Sequence, residues 1–410
     1  MTQKKNPLHI ALVENIHPYA STLFSQQGFT GIESHKSAID KDGISALLQK
    51  ANILGLRSKT KVRGEALTAA KHLETIGCFC IGTDQVDLTT AAQQGIPVFN
   101  APYASTRSVA ELVIGQIIML LRRIPEKSAG AHRGEWMKGV DGACEVRGKI
   151  LGIIGYGHIG TQLSVMAESI GMRVMFYDIV DKLALGNAQR ATSLEQLLSQ
   201  SDIVTLHVPA TKQTEKMIGA TELAQMKCGA PLINAARGKV VDLDALADSL
   251  KSGYTGGAAI DVFPVEPVGN DEVFTTPLQN LSNVILTPHI GGSTLEAQES
   301  IAADVTEKIL RYIQHGTTAG AVNFPQVTLP PLTAGKRFRH THHNQPGVLA
   351  KINDVFSSRN LNIAAQYLQT DDTIGYVVID TDTPNADSAV ILAALQEIPG
   401  TIRTALIAEG

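Results

Sequence analysis

Short apolar runs alternate with longer amphipathic stretches along nearly the whole chain, which predicts βαβ units and parallel sheets. A first block, 8–104, carries strand-like runs over 10–13, 53–56, 78–81 and 98–99, with helical stretches beginning at Tyr19, Gly43 and Gly64. The segment 108–123 is apolar nearly all round. Val109, Leu112, Val113, Gln116, Ile117 and Leu120 form one stripe on it, and Ile114, Ile118 and Leu121 another. Such a helix is expected to be buried, between domains or against another subunit. A second series, 149–292, has strand-like runs over 151–154, 173–177, 203–207, 232–234, 258–262 and 284–286. That is enough for a full doubly wound sheet. The helical stretch 294–315 is expected to return to the first block and make that domain discontinuous.

The remainder reads differently. Residues 321–334 include Pro325, Thr328, Pro330, Pro331 and Thr333, a linker composition. Beyond them the pattern predicts strand 336–342, helix 347–359, strands 363–369 and 375–380, helix 386–398 and strand 401–407. The order βαββαβ is ferredoxin-like. Its first strand is expected to offer an exposed edge on which two copies pair.

Composition narrows the class. At about 150 residues per domain, 410 residues make two or three domains. With 44% apolar and 18% charged residues, the chain can bury a substantial core. The 35 Lys+Arg against 39 Asp+Glu give a net charge of −4, with no bulk basic excess for a nucleic-acid backbone. No apolar run reaches the roughly 18 residues of a membrane span. The basic start, 1–7, leads into a run too short for a secretory signal. A cytoplasmic protein with neither nucleic acid nor membrane as partner is expected. Four cysteines cannot form a disulfide scaffold. Cys78 and Cys80 are expected on one face of a strand, as buried thiols. His340, His342 and His343 lack a cysteine or carboxylate cluster nearby, so no metal is expected.

Gly155-Tyr156-Gly157-His158-Ile159-Gly160 follows a predicted strand and opens a helix. Asp178 ends the next strand, about 20 residues on. The glycines allow a tight turn and close approach of a pyrophosphate, and the helix start near His158 and Ile159 offers free N–H groups. A carboxylate at Asp178 accepts from both ribose hydroxyls and repels a 2′-phosphate, which favours NAD over NADP. Three later strand ends each deliver one ionisable group. They are Arg237 in Asn234-Ala235-Ala236-Arg237-Gly238, Glu266 in Asp261-Val262-Phe263-Pro264-Val265-Glu266-Pro267, and His289 in Thr287-Pro288-His289-Ile290-Gly291-Gly292. Arg forks onto a carboxylate, His exchanges a proton near neutral pH, and Glu orients the imidazole and raises its pKa. Alone, the His suits a turn and the Arg a solvated charge. Together, at strand ends of one dinucleotide sheet, they suit alcohol–ketone redox chemistry.

These segments resemble the D-isomer-specific 2-hydroxyacid dehydrogenases. The tail resembles an ACT regulatory domain, on the motifs Asn323-Phe324-Pro325, His342-His343-Asn344-Gln345-Pro346-Gly347 and Asn362-Ile363-Ala364-Ala365-Gln366. The resemblance implies an α/β chain of three domains. A doubly wound Rossmann NAD domain would span 105–292. A flavodoxin-like, discontinuous substrate domain would span 1–104 and 293–333, and the ferredoxin-like ACT domain 334–410. It implies NAD-dependent oxidation of 3-phospho-D-glycerate to 3-phosphooxypyruvate, the first step of L-serine biosynthesis, with feedback by L-serine. Arg237 would anchor the substrate carboxylate, Glu266 support His289, and His289 act as general acid/base. Gly155, Gly157, His158, Ile159, Gly160, Asp178, Ala235, Ala236, Asp261, Gly291 and Gly292 would bind the cofactor. Arg57 and Ser58 would hold the substrate phosphate, with Gly82 and Ser105 as further substrate contacts. Asp84 and Ser105 stand where relatives carry Asn. His342 and Asn344, in the loop after the tail's first strand, would bind serine with Asn362 of a neighbouring module. A homotetramer through the nucleotide and ACT domains is implied, with Trp136 either buried in its own domain or anchored in a neighbouring subunit. Two other readings remain open here: reduction of another 2-oxoacid such as 2-oxoglutarate or glyoxylate, and an NAD(H)-sensing binding protein or co-repressor. The Arg57-Ser58-Lys59 loop argues against the first, and the Arg/Glu/His set against the second.

Overall fold

The computed structural model describes residues 8–267, 272–382 and 387–409. The start 1–7 and Ala386, the expected first residue of the last helix, lie outside the described residues. The chain divides into two compact units. One is Ser105–Ala297, and the other joins the chain before it to the chain after it.

In the discontinuous unit, β1 (His9–Leu12), β2 (Gly31–Ser34), β3 (Ile53–Leu56), β4 (Thr75–Cys78) and β5 (Val98–Asn100) form a parallel sheet in the order β2-β1-β3-β4-β5. That is the flavodoxin-like order. Helices α1 (Tyr19–Gln26), α2 (Lys41–Leu48), α3 (Glu65–Thr68) and α4 (Leu88–Gln93) connect the strands. Every residue of β3 and β4 is buried, as a sheet covered on both faces requires. The strand expected at 78–81 lies three residues earlier. An unbroken apolar run fixes no register, and Thr75 hides in the strand by donating its hydroxyl to the Pro97 carbonyl at 2.9 Å. Cys80 therefore sits in the loop rather than sharing a strand face with Cys78. Its thiol meets the Gly82 carbonyl at 3.1 Å.

The second unit opens with α5 (Thr106–Leu121) and α6 (Ile124–His132). A parallel sheet follows, of β6 (Ile150–Ile154), β7 (Arg173–Tyr177), β8 (Gln189–Arg190), β9 (Ile203–Leu206), β10 (Leu232–Asn234), β11 (Ala258–Ile260) and β12 (Val284–Leu286). Its order is β12-β11-β10-β9-β6-β7-β8, so the direction of winding reverses between β6 and β9. Such a switch point opens a crevice at the strand C-termini. The helices α7 (His158–Ser169), α8 (Leu194–Gln200), α9 (Ala220–Gln225) and α10 (Leu243–Lys251) cross between strands. On α5, Val109, Val113, Ile117 and Leu120 pack into the sheet core, while Ile118 and Met119 stay exposed. The two-residue β8 escaped the sequence pattern because both its side chains are exposed.

Helix α11 (Leu295–His315) brings Ile301, Val305, Ile309 and Tyr312 into one core with Ile10, Phe24 and Phe99. A Cβ on Gly77 would stand 2.7 Å from the Ile309 and Val305 side chains, so the helix rests directly on β4. The linker reading of 321–334 is corrected by the structure. Val322 donates to the Val98 carbonyl, the Asn323 amide satisfies backbone groups of Val98, Leu88 and Ile96, and Phe324, Val327 and Leu329 are buried. Proline there stiffens a docked segment instead of a free tether.

The tail folds as β13 (Lys336–His343), α12 (Val348–Ser357), β14 (Ile363–Thr370), β15 (Ile374–Thr381), α13 (Ser388–Gln396) and β16 (Thr401–Glu409). The antiparallel order is β14-β15-β13-β16. The first strand is therefore central, not an exposed edge, because each of its flanks is occupied by a later strand. The open edges are β14 and β16. Buried charges tie the module to the first sheet block. Arg337 forks onto Asp380 inside the module with two bonds of 2.6 Å and donates outward to the Pro330 and His315 carbonyls at 2.9 and 3.3 Å. Arg339 reaches Glu74 at 2.9 Å and lies over the Tyr312 ring, and Arg403 donates to the Leu73 carbonyl. Removing one partner of such a buried pair costs about 3–5 kcal/mol.

Candidate active site

The glycine turn shows why each glycine stands where it does. Gly155 has φ +92°, and a Cβ there would fall 2.4 Å from the His207 carbonyl oxygen across the switch point. A Cβ on Gly160 would fall 2.3 Å from the Gly155 carbonyl oxygen. Gly157 faces open space. Two glycines thus close the turn, and the third leaves room for a ligand at the start of α7. His158 and Ile159 begin that helix, whose N-cap Gly157 has no side chain to cap its first turn. Asp178 accepts from the Tyr156 N–H at 2.8 Å and the Val180 N–H at 2.9 Å, which ties the end of β7 to the turn. Sequence reasoning passed over Tyr156. It is buried, stacks on Phe176 at 3.8 Å and donates to Ser164 at 3.0 Å.

The three ionisable groups sit on loops that buried polar side chains shape. Asn234, at the end of β10, donates to the Arg237 carbonyl at 3.0 Å and accepts from the Ala236 N–H at 3.1 Å, which folds the loop carrying Ala235, Ala236 and Arg237. The Arg237 guanidinium donates to the Ala236 carbonyl at 2.7 Å. A Cβ on Gly238 would fall 2.0 Å from the Phe263 carbonyl carbon, so only glycine lets this loop lie against the one bearing Glu266. Asp261 is buried. It accepts from the Thr287 hydroxyl at 2.6 Å and from the Ile290 and Gly291 N–H groups at 2.8 and 2.9 Å. Both its oxygens hold the loop that carries His289. Gly292 lies beside Ser105, which is buried.

His289 Nδ1 meets both Glu266 oxygens, at 2.8 and 3.0 Å. Its backbone φ is +54°, the left-handed region, a conformation that costs of order 1–3 kcal/mol and persists only where the surroundings impose it. The Glu266 hydrogen bond raises the His289 pKa above the ordinary imidazole value, against burial and the Arg237 charge. Burial works to raise Glu266, but the His289 hydrogen bond and charge, the Phe263 N–H and Arg237 together bring it below the usual carboxylate range. Arg237 therefore acts on both groups. The Nε2 of His289 has no partner among the described residues and is left for a reacting proton.

Arg57, Ser58 and Gly82 belong to the other unit, in the loops that follow β3 and β4. Two buried side chains that sequence reasoning missed build those loops. Glu14 accepts from the Lys59 N–H at 2.9 Å and the Thr60 N–H at 2.7 Å. Gln85 donates to the Arg57 carbonyl at 2.6 Å and the Gly82 carbonyl at 3.2 Å, which stitches the two loops together. Neither carried a signal, since a lone Glu or Gln fits a solvated surface equally well.

The tail candidates separate. His342 lies within β13, not in the loop after it, and Asn344 follows directly, donating to the Asp371 carbonyl at 2.7 Å. His342 pairs with Gly375 at one end of the sheet, and Ile363, next to Asn362, pairs with Thr381 at the other. Six residues of strand put the two groups about 20 Å apart in one chain.

Comparison with known proteins agrees with this geometry. Residues 114–291 match the family model of the D-isomer specific 2-hydroxyacid dehydrogenase NAD binding domain, and 338–403 match that of an AHAS small subunit-like ACT domain. The D-3-phosphoglycerate dehydrogenase of Haemophilus influenzae is 53% identical, over 98% of both chains. That of Dictyostelium discoideum is 47% identical over the same shares. The solved structure of D-lactate dehydrogenase from Aquifex aeolicus, complexed with NAD and lactic acid, is 27% identical. It covers 78% of this chain and 100% of its own at a TM-score of 0.69. The chain therefore belongs to the D-3-phosphoglycerate dehydrogenases of the D-isomer specific 2-hydroxyacid dehydrogenase family.

Proposed function

We propose that this chain oxidises 3-phospho-D-glycerate to 3-phosphooxypyruvate with NAD, in the cytoplasm, as the first step of L-serine biosynthesis. Arg237 and the N–H groups around Gly82 hold the substrate carboxylate, and Arg57 and Ser58 take the phosphate. His289 Nε2 receives the proton of the C2 hydroxyl. Glu266 fixes the ring through Nδ1 and stabilises the imidazolium that forms. When bound, NAD supplies the acceptor for the hydride leaving C2. Gly157 and the first N–H groups of α7 suit its pyrophosphate, and Asp178 its ribose. The observation that carries the reading is the Glu266–His289 pair beside Arg237, in a chain that matches D-3-phosphoglycerate dehydrogenases from end to end.

L-serine is the proposed inhibitor, bound by His342 and Asn344 of one module and Asn362 of another. The opposite placement of Asn362 within a chain supports paired modules. Trp136 is 88% exposed, which excludes burial in its own domain and supports an anchor in a neighbouring subunit of a homotetramer. The test is NADH formation with 3-phospho-D-glycerate, D-lactate and 2-hydroxyglutarate, with and without L-serine. Preference for the phosphorylated acid and inhibition by serine are expected. Equal rates on all three acids would overturn the substrate assignment.

A further inference from the structure

His340 and His342 stand two apart on β13 and are both buried. Their Nδ1 atoms face each other at 3.2 Å. His340 Nε2 lies 2.9 Å from the Thr401 hydroxyl, and that hydroxyl lies 3.0 Å from the Leu395 carbonyl. A carbonyl only accepts, so Thr401 must donate its single proton to Leu395. It therefore receives one from His340 Nε2. His340 then bears a lone pair at Nδ1. Two lone pairs at 3.2 Å would repel, so the proton between the rings belongs to His342 Nδ1. A neutral imidazole protonated at Nδ1 has a bare Nε2. The Nε2 of His342 has no partner among the described residues. The ring lies over Gly375, where a Cβ would fall 2.3 Å from Nε2.

We infer that His340 and Thr401 are positioning residues that lock His342 as a hydrogen-bond acceptor, so that the regulatory site selects a ligand through an ammonium group. This inference rests on the proposed serine site and gives it a chemical requirement. Both rings must be neutral for the relay to hold. Burial, with His342 beside it, pushes His340 down to about 4. Burial, with His343 beside it, also lowers His342. The ammonium of an α-amino acid donates to the bare Nε2, which a carboxylate cannot do.

Two measurements separate this claim from the serine reading. The first is the ¹⁵N spectrum of the sedimented full-length protein labelled at histidine, with His342 assigned by its absence from His342→Asn. The relay predicts His342 protonated at Nδ1 near neutral pH, and protonation at Nε2 overturns it whether or not serine binds. The second is the half-inhibitory concentration of L-serine, each variant referred to its own uninhibited rate. His340→Leu should raise it at least tenfold and Thr401→Val about threefold. His340→Asn should recover most of the loss, since its Oδ1 replaces the Nδ1 acceptor. Wild-type inhibition in His340→Leu, or no recovery in His340→Asn, overturns the positioning role. Absence of any serine effect on the wild type defeats the serine reading and leaves the spectrum to decide the relay.

Discussion

The Glu266–His289 pair and the His342/Asn344/Asn362 set are assembled in opposite ways. In the parallel sheet, β10, β11 and β12 are neighbours and point the same way, so the loops after them emerge side by side. Arg237, Glu266 and His289 meet because of that adjacency, within one compact unit. In the tail module, β13 and β14 both run antiparallel to β15 and so parallel to each other. His342 lies near the C-terminal end of β13 and Asn362 just before the start of β14, so the two are held apart by the length of a strand. The larger sheet gathers its three groups from the C-terminal ends of neighbouring strands inside one chain, whereas the proposed serine site draws on opposite ends of two strands and, on that proposal, takes a second copy to complete.

The largest expected effect is at the gathered site. His289→Ala should lower kcat by about 10²–10⁴, the usual range for a general acid/base. NAD binding measured by fluorescence should persist, because the turn at Gly155–Gly160 is untouched. Next comes a mixing experiment that sets the two sites against each other. Inactive His289→Ala and Glu266→Ala chains, mixed and allowed to exchange subunits, should stay inactive, since both residues act within one chain. Mixed His342→Ala and Asn362→Ala chains should regain part of the serine inhibition each lacks, because one of the two sites at a hybrid interface is intact. Recovery in the first mixture, or none in the second after verified exchange, breaks the comparison.

Smaller effects sharpen it. Arg57→Ala removes a charge-assisted bond worth about 1.5–3 kcal/mol, so KM for 3-phospho-D-glycerate should rise about 10- to 100-fold. KM for unphosphorylated 2-hydroxyacids should change little, and equal losses on both would point to a folding defect. Asp178→Ala should weaken NAD binding several-fold and relax discrimination against NADP. Comparable use of both cofactors by the wild type would remove that role from Asp178.

The sequence made the gathered site legible because its chemistry sits in short contiguous motifs at strand ends. Arg237, Glu266, His289 and the glycine turn could be named from spacing and residue type. What shapes the loops around Arg57 and Gly82 was not legible. Glu14 and Gln85 do so through a buried carboxylate and amide that reach backbone groups far away in sequence, and nothing local marks them, whereas Asn234 folds its own loop from within the Asn234–Gly238 motif. The same blindness to tertiary hydrogen bonding made 321–334 read as a linker, although Asn323 staples its first part to β5 and its neighbours. Strand order in the tail was also out of reach, since the pattern βαββαβ names the elements but not which of them lies at an edge.

The most direct test of the account is kcat/KM for 3-phospho-D-glycerate oxidation as a function of pH, in the wild type and in Glu266→Gln. Oxidation needs His289 neutral, so the rate should rise with pH through the His289 pKa. The Glu266 bond raises that pKa, which puts the midpoint of the rise above the ordinary imidazole value of about 6.5. Glu266→Gln, which removes the charge while keeping an acceptor, should lower both the midpoint and the plateau. A wild-type midpoint at or below the ordinary value, or one that Glu266→Gln leaves in place, would contradict the assignment of His289 as the base held by Glu266.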